Sequence, residues 1–347
     1  MGGMDLERGR TAYDERRWDA CVTALRTADA AEPLGGDDLM LLSLALYLVG
    51  DDRASGETLE RCHRLALDEH RWSEAAETAF WYAFMLFGTD ERARAGGWLA
   101  RAKGLVAEHA LTGPEATLPD ALEARVLLDS GRAEEALVLA TGAARAGRML
   151  GDANLEVLGR LTVGHAHLQQ GRRDEALACL DEVMLTVSAG RLYPTVAGLA
   201  YCAVIGTCMN LLDVPRAQEW TTVLSDWCDA QTGLVPYRGS CLIHRSQIKA
   251  MRGDWSGALA EARHACEVPS RAAADAWYQL GEVRRLQGGF AEAEEAYRRA
   301  NSLGRQPEPG LALLRLAQGR VEEAVTGFRR LYAEPDRFDR ADILAGY

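Results

Sequence analysis

Apolar residues recur every three to four positions through almost the whole chain, in blocks that are separated by short polar turns. A recurrence of this kind has the period of an amphipathic α-helix, whereas the strict alternation that indicates a half-buried strand is not sustained anywhere. The pattern therefore predicts an all-α protein of about nine antiparallel helix pairs. The turns within these pairs are predicted near residues 15, 50, 88, 131, 171, 213, 253, 288 and 319.

The clearest copy of the repeated unit is AWYQLGEVRRLQGGFAEAEEAYRRA, residues 276–300. Its Trp, Leu-Gly, Ala, Tyr and Ala have the spacing of the tetratricopeptide repeat, and the segment resembles that family. Gly281 is small enough for its helix to approach the next one closely, and Tyr297 fills the space between repeats. Gly288 lies in the turn, where a positive φ is useful. The resemblance implies a right-handed superhelical solenoid.

Weaker copies of the unit extend this interpretation to the rest of the chain. The middle turns are more than about 34 residues apart, so the helices there should be longer than in a standard repeat. Each pair of a solenoid is stabilised by its neighbours, which predicts a single unit over residues 1–347 without a sharp internal boundary. The Pro- and Gly-rich stretches 31–38, 111–120 and 304–310 then connect repeats. The segment 336–347 begins a helix without a polar cap, so we expect the native chain to continue or this end to contact a partner.

Composition narrows the classes of partner. The 347 residues carry a formal net charge of −12, which disfavours direct binding of nucleic acid by this segment. The basic residues are almost all arginine, with Lys103 and Lys249 the two lysines. The apolar run that begins at Met40 is too short to cross a membrane, and no signal peptide is visible. Eight cysteines without a C-x-x-C motif indicate a reduced setting, so we expect a cytoplasmic protein.

Motifs for catalysis and metal binding are not found. The sequence has no phosphate-binding glycine loop, no H-E-x-x-H and no G-x-S-x-G, so we expect neither enzymatic activity nor a cofactor. His165 and His167 face opposite sides of a helix, which disfavours a shared metal ion. His63 and His70 lie two turns apart, and we favour a solvated face there over the alternative of a surface metal site. Cys241 and His244 lie three residues apart and could touch, but no third group is seen to orient the histidine, so a structural helix is favoured over a catalytic pair.

The candidate binding residues follow from the repeat register. In a tetratricopeptide repeat, the second, fifth, ninth and twelfth positions of the first helix line the concave groove. In this chain we assign to that groove Arg125, His165, Gln247, Asp275, Tyr278, Glu282 and Arg285. Such a surface suits a peptide, a protein segment or an amphipathic small molecule. Secondary candidates are Trp220 and Trp227, which are one heptad apart and more typical of core, and Tyr237 and Arg238, which are predicted to lie in a loop.

Four stretches of the sequence resemble a more specific protein family. They are GGWLARAKGLV (96–106), VAGLAYCAVIGTC (196–208) and the longer segments 216–248 and 276–319. These resemble the helical region of actinobacterial LuxR-type transcriptional regulators, which implies a sensory role ahead of a DNA-binding helix-turn-helix. The present chain ends at Tyr347 without such a motif. The alternative function is a free-standing adaptor for protein–protein interaction, and an enzyme is the least favoured function. The apolar chain end is also compatible with a homo-oligomer.

Overall fold

The computed structural model describes residues 2–89 and 91–333. Within this range the chain forms eighteen α-helices and one 3₁₀ turn, Pro114–Ala116. The helices are α1 (Gly2–Asp14), α2 (Trp18–Ala31), α3 (Gly36–Leu48), α4 (Asp52–Asp68), α5 (Trp72–Gly88), α6 (Arg92–Glu108), α7 (Leu118–Asp129), α8 (Ala133–Leu150), α9 (Ala153–Gln169), α10 (Arg173–Ser188), α11 (Pro194–Asn210), α12 (Val214–Asp229), α13 (Arg238–Met251), α14 (Trp255–Glu267), α15 (Ala273–Leu286), α16 (Phe290–Ser302), α17 (Gly310–Ala317) and α18 (Val321–Ala333).

The predicted all-α class and the helix pairs are confirmed, from α1–α2 to α17–α18. The turn within a pair needs a residue with positive φ, and glycine adopts it at most of the predicted positions. Where the sequence has no glycine, Arg16 and Leu212 take this conformation instead, with φ of 57° and 58°. The middle helices are long, as expected, with 17 residues in α9 and 18 in α8.

The predicted connections between repeats are shorter than expected. Helix α3 already begins at Gly36, α7 at Leu118 and α17 at Gly310, so each predicted loop includes the first residues of the following helix. Pro119 explains this in α7, because proline fits the first helical turn, where its missing N–H costs nothing. The predicted helix within 336–347 lies outside the described residues.

The chain divides into two compact units, which are described separately. Unit 1 comprises residues 1–203 and 231–233, and unit 2 comprises 204–230 and 234–347. The point of division falls within α11. The expectation of one uninterrupted solenoid over the whole chain remains a prediction.

Unit 1 is held together by close helix packing. The α8–α9 contact is close at Gly159, because a Cβ there would lie 2.6 Å from the backbone nitrogen of Ala144. Trp18 is fully buried at the start of α2. Its backbone N–H donates to the carbonyl of Thr232 at 3.1 Å, so the short segment 231–233 packs against the α1–α2 turn.

Unit 2 contains the repeat that is clearest in the sequence. A Cβ added to Gly281 on α15 would lie 2.6 Å from Cε1 of Tyr297 on α16, and Tyr297 is fully buried. The predicted roles of this small residue and this ring are confirmed. In the preceding repeat, Ser246 is fully buried at the equivalent position and donates to the carbonyl of Ala258 at 2.9 Å. Within the described part of the chain, no helix is both long and apolar enough to cross a bilayer.

Candidate binding site

Two of the predicted groove residues lie in unit 1 and contact each other. Arg125 on α7 places Nη1 3.4 Å from Nδ1 of His165 on α9, while its Nε donates to Asp129 at 2.9 Å. Burial removes water from His165, and the Arg125 charge adds to this effect, so that the pKa of His165 is lowered to about 4. The imidazole is therefore neutral at physiological pH. As a neutral ring it can serve as a hydrogen-bonding group but not as a cation.

Four further predicted residues lie in unit 2 along one face of α15. Asp275 accepts from Nη1 of Arg305 at 2.6 Å, and this guanidinium stacks over the ring of Tyr278 at 4.1 Å. The Tyr278 hydroxyl accepts from the backbone N–H of Gly310 at 3.2 Å, which connects α15 to the start of α17. Hence Tyr278 is part of the packing between repeats, and the more exposed Asp275–Arg305 pair lies beside its ring.

The remaining two members of this α15 face form an internal ion pair. Arg285 Nη2 donates to Glu282 at 2.7 Å, and Glu282 also accepts from the hydroxyl of buried Tyr297. The side chains of Arg285 and Glu282 are only 14% and 20% exposed. The structure thus brings Asp275, Tyr278, Glu282 and Arg285 together, with solvent access concentrated at Asp275. Gln247, on α13, instead lies with its Oε1 3.4 Å from Nδ1 of His244.

The secondary candidates surround the α12–α13 connection. Trp227 packs edge-on against Tyr237, with ring centroids 5.9 Å apart, and Tyr237 is only 8% exposed. Arg238 is the first residue of α13 and donates from Nη2 to the carbonyl of Cys228 at 3.1 Å. Its predicted position in a loop is therefore wrong, because the guanidinium satisfies a carbonyl in the last turn of α12 and the helix begins there. Trp220 is partly buried on α12.

Cys241 and His244 have different hydrogen-bonding partners. The Cys241 thiol is buried and lies 3.2 Å from the Ser225 hydroxyl. Hydrogen bonds from Cys228 and then Ser225 lower its pKa despite that burial. The pKa of His244 is lowered by its burial, and its Nδ1 lies 3.4 Å from Oε1 of Gln247. These contacts account for both side chains as parts of helix packing.

His63 differs from its predicted solvated position. It is 1% exposed, with Nδ1 2.8 Å from the carbonyl of Ala75. Its Nε2 accepts from Nε of Arg101 at 2.6 Å, and its ring packs edge-on against Trp98 at 5.1 Å. Sequence periodicity on α4 could not show this, because α6 supplies both covering side chains. In residues 2–89 and 91–333 no three His, Cys, Asp or Glu side chains converge as metal ligands.

A cleft in unit 2 that is lined mainly by polar and charged residues was not predicted. It lies between α12 and α13, has a volume of about 510 Å³, and is named here the α12–α13 cleft. Its lining includes Gln218, Thr222 and Ser225 on the α12 side and Arg245, Lys249 and Arg252 on the α13 side. Each wall repeats the same spacing of four and then three residues, which places its members on one side of a helix. That matched spacing, together with one of the two lysines in the chain, is the signal in the sequence that could have located it.

The walls of this cleft differ in charge. Arg245 and Lys249 both donate to the same Oε1 of Glu261, at 2.6 and 2.7 Å. The Glu261 side chain is 8% exposed, whereas Arg245 and Lys249 are 40% and 36% exposed. The buried carboxylate therefore positions two cations whose outer surfaces remain in contact with solvent.

Comparison with known proteins supports the fold class. The family model of the tetratricopeptide repeat matches residues 274–306, which include α15 and α16. No curated protein sequence matches the chain. A Rap protein complexed with competence and sporulation factor is similar in structure, with a TM-score of 0.51 and 14% identity over 87% of this chain and 97% of that one. At this identity the similarity shows the fold alone.

Two further solved structures are similar. A human IFIT1 dimer with PPP-AAAA has a TM-score of 0.51 and 14% identity over 88% of this chain and 73% of that one. A signal transduction ATPase with a tetratricopeptide repeat sensor, from Pyrococcus horikoshii, has a TM-score of 0.47 and 14% identity over 85% of this chain. The matched region spans 46% of that ATPase chain. The helix pairs, the matched repeat and the first two structures define a TPR-like α-solenoid.

Proposed function

We propose that this chain is a non-enzymatic binding module that recognises a peptide, a protein segment or an amphipathic small molecule. The observation that carries the proposal is the α15 face, where the Tyr278 ring lies beside the Asp275–Arg305 ion pair. The two charged side chains are 52% and 38% exposed. An exposed ion pair contributes only about 0–1 kcal/mol, so a ligand can replace either partner at little cost. An aromatic surface with exchangeable charges of both signs suits a peptide better than a polyanion.

The charge of the whole chain supports the same choice of ligand. A net charge of −12 opposes the approach of a phosphate backbone, whereas it does not oppose a neutral or basic peptide. We therefore propose that the chain does not bind nucleic acid directly. The repeated helix pairs supply the surface, and the ligand is recognised by the few side chains that remain accessible on it.

We further propose that this module is the sensory region of a LuxR-type transcriptional regulator. The support is the resemblance of residues 216–248 and 276–319 to such regulators. A ligand that binds one arrangement of the repeats more tightly would shift the population toward it and so expose or cover an output domain. The alternative is a free-standing adaptor. The native gene distinguishes the two, since only the regulator continues into a helix-turn-helix.

The test is native mass spectrometry of the protein purified from its own host, followed by variants of the α15 face. We expect a bound peptide or small molecule whose occupancy falls in Asp275→Asn, because that change removes one accessible charge without altering the packing. Glu57→Gln, at an exposed carboxylate of unit 1, is the control. A ligand that is retained equally by both variants, or no ligand at all, would contradict the assignment of this face.

A further inference from the structure

The α12 wall of the α12–α13 cleft presents the Thr222 hydroxyl oxygen as a hydrogen-bond acceptor. Thr222 donates its proton to the carbonyl of Gln218 at 3.0 Å, and Ser225 donates to the carbonyl of Thr221 at 2.9 Å. Thr221 itself donates to Ala217 at 2.7 Å. Because Thr222 uses its one proton within the helix, its exposed oxygen keeps its lone pairs for a ligand. Ser225 also contacts the Cys241 thiol, and Thr221 is buried.

Gln218 adds an unsatisfied group to this wall. Its Oε1 is buried and has no hydrogen-bond partner among the described residues. A buried polar atom without a partner costs about 1–3 kcal/mol, so native structures usually supply one. A ligand with an N–H donor would supply the partner that Gln218 Oε1 lacks.

The α13 wall presents cations. Glu261 neutralises one of the two charges of Arg245 and Lys249, and it fixes both side chains in place. Arg252 is exposed and forms no ion pair within the described part of the chain. Asp254 also lines the cleft, but its carboxylate caps α14 by accepting from the backbone N–H of Gly257 at 2.9 Å. The wall therefore keeps a positive charge on a protein that is negative overall.

We propose that the α12–α13 cleft binds a free amino acid, with its ammonium group on the Gln218 wall and its carboxylate on the Lys249–Arg252 wall. A zwitterion supplies the donor that one wall lacks and the anion that the other wall attracts. The cavity volume of about 510 Å³ falls within the range of small-molecule sites. A side-chain carboxylate adds a contact for Arg245, which makes glutamate the best-matched probe. The site is separate from the α15 face and does not depend on its function.

The two lysines of the chain provide a direct test. Lys249 and Lys103 are 36% and 37% exposed, and each is paired with a carboxylate. Reductive methylation with ¹³C-formaldehyde labels these two side chains and the terminal amine. We expect glutamate to shift the Lys249 resonance in a saturable manner and to leave the Lys103 resonance unchanged. Equal shifts at both lysines, or none at about 10 mM glutamate, would overturn the proposal.

Calorimetry on the unlabelled protein then tests each wall. Lys249→Gln and Arg252→Gln should each weaken glutamate binding by about tenfold, the size of one lost charge contact, while Lys103→Gln should not change it. Glutarate, which has both carboxylates but no ammonium group, should bind the native protein more weakly than glutamate. Gln218→Leu should abolish that preference. If glutarate and glutamate bind equally to the native protein, the cleft is a general anion site and the amino-acid assignment is wrong.

The test of the α12–α13 cleft can be distinguished from the test of the proposed function at the α15 face. The glutamate measurements use variants of α12 and α13, whereas the α15 variants are tested by occupancy of the native ligand. Because Arg252 is exposed, its substitution tests the cleft even if Lys249→Gln fails to fold.

Discussion

His165 illustrates how the chemistry of single residues depends on their surroundings. It lies beside the Arg125 guanidinium, and both its burial and this charge oppose protonation. The pKa values of His63 and His244 are lowered as well, chiefly by burial. These histidines are therefore neutral and packed within the protein at physiological pH. Protonating any of them at lower pH would place a charge in a buried environment, which is unfavourable.

The pH dependence of stability follows from these shifts. A histidine whose pKa is lowered on folding binds protons more readily in the unfolded state. The free energy of unfolding is therefore highest above pH 6.5 and decreases as the pH falls toward 4. For His165 the expected loss between pH 7.5 and pH 5 is up to about 2 kcal/mol. Urea unfolding of the native protein and of His165→Gln at both values measures it. The difference between pH values should be smaller in the variant, and an unchanged difference would contradict the role of His165.

At the scale of helices, small residues determine how closely the two members of a pair approach. Gly281 allows the ring of Tyr297 to lie against the backbone of α15, as the spacing of the repeat predicted. Gly310 has a similar role at the start of α17, because a Cβ there would lie 2.7 Å from the Tyr297 hydroxyl. The same buried ring therefore contacts two successive first helices.

Gly281→Ala should consequently destabilise unit 2. The added methyl group would force the buried ring or the helix to move, at a cost of about 1–3 kcal/mol. Gly104→Ala is the matched control, because it lies within α6 and its Cβ would meet no atom within 4 Å. That change should be neutral or stabilising by up to about 1 kcal/mol through helix propensity. Denaturant midpoints of the two variants provide the comparison, and equal midpoints would exclude the proposed close contact.

The α12–α13 contact shows what local patterns leave open. Cys241 and His244 were predicted to lie on a structural helix, and both lie on α13. The partners of its side chains were not predictable, because Cys241 contacts Ser225 on another helix and Arg238 contacts the end of α12. Such contacts depend on how the two helices are rotated about their axes.

At the scale of the whole molecule, the net charge bears on the class of partner that we propose. The net charge of −12 belongs to a chain in which many arginines of the described residues have carboxylate partners, as Arg61 does in its pair with Asp29. In the α12–α13 cleft, Glu261 partly neutralises Arg245 and Lys249. A long polyanion would meet a repulsive surface outside any such cleft.

The protein should therefore not retain nucleic acid. In a mobility-shift assay at about 150 mM salt, a random-sequence DNA duplex of about 30 base pairs should migrate at the same position with and without micromolar protein. Lowering the salt weakens screening, which increases the repulsion, so binding should not appear there either. A shift that strengthens as salt is lowered would reveal a basic surface and contradict this expectation.

The sequence by itself determined the helices, their pairing and the positions of their turns, because these depend on periodicity and on glycine at regular intervals. It also located the Gly281–Tyr297 contact, since the repeat spacing places both residues. Only the tertiary structure showed that Arg101 and Trp98 bury His63, or that Gln218, Lys249 and Arg252 line one cleft. Those arrangements join side chains of different helices, and the rotation of one helix against another depends on packing across the whole unit rather than on any single segment.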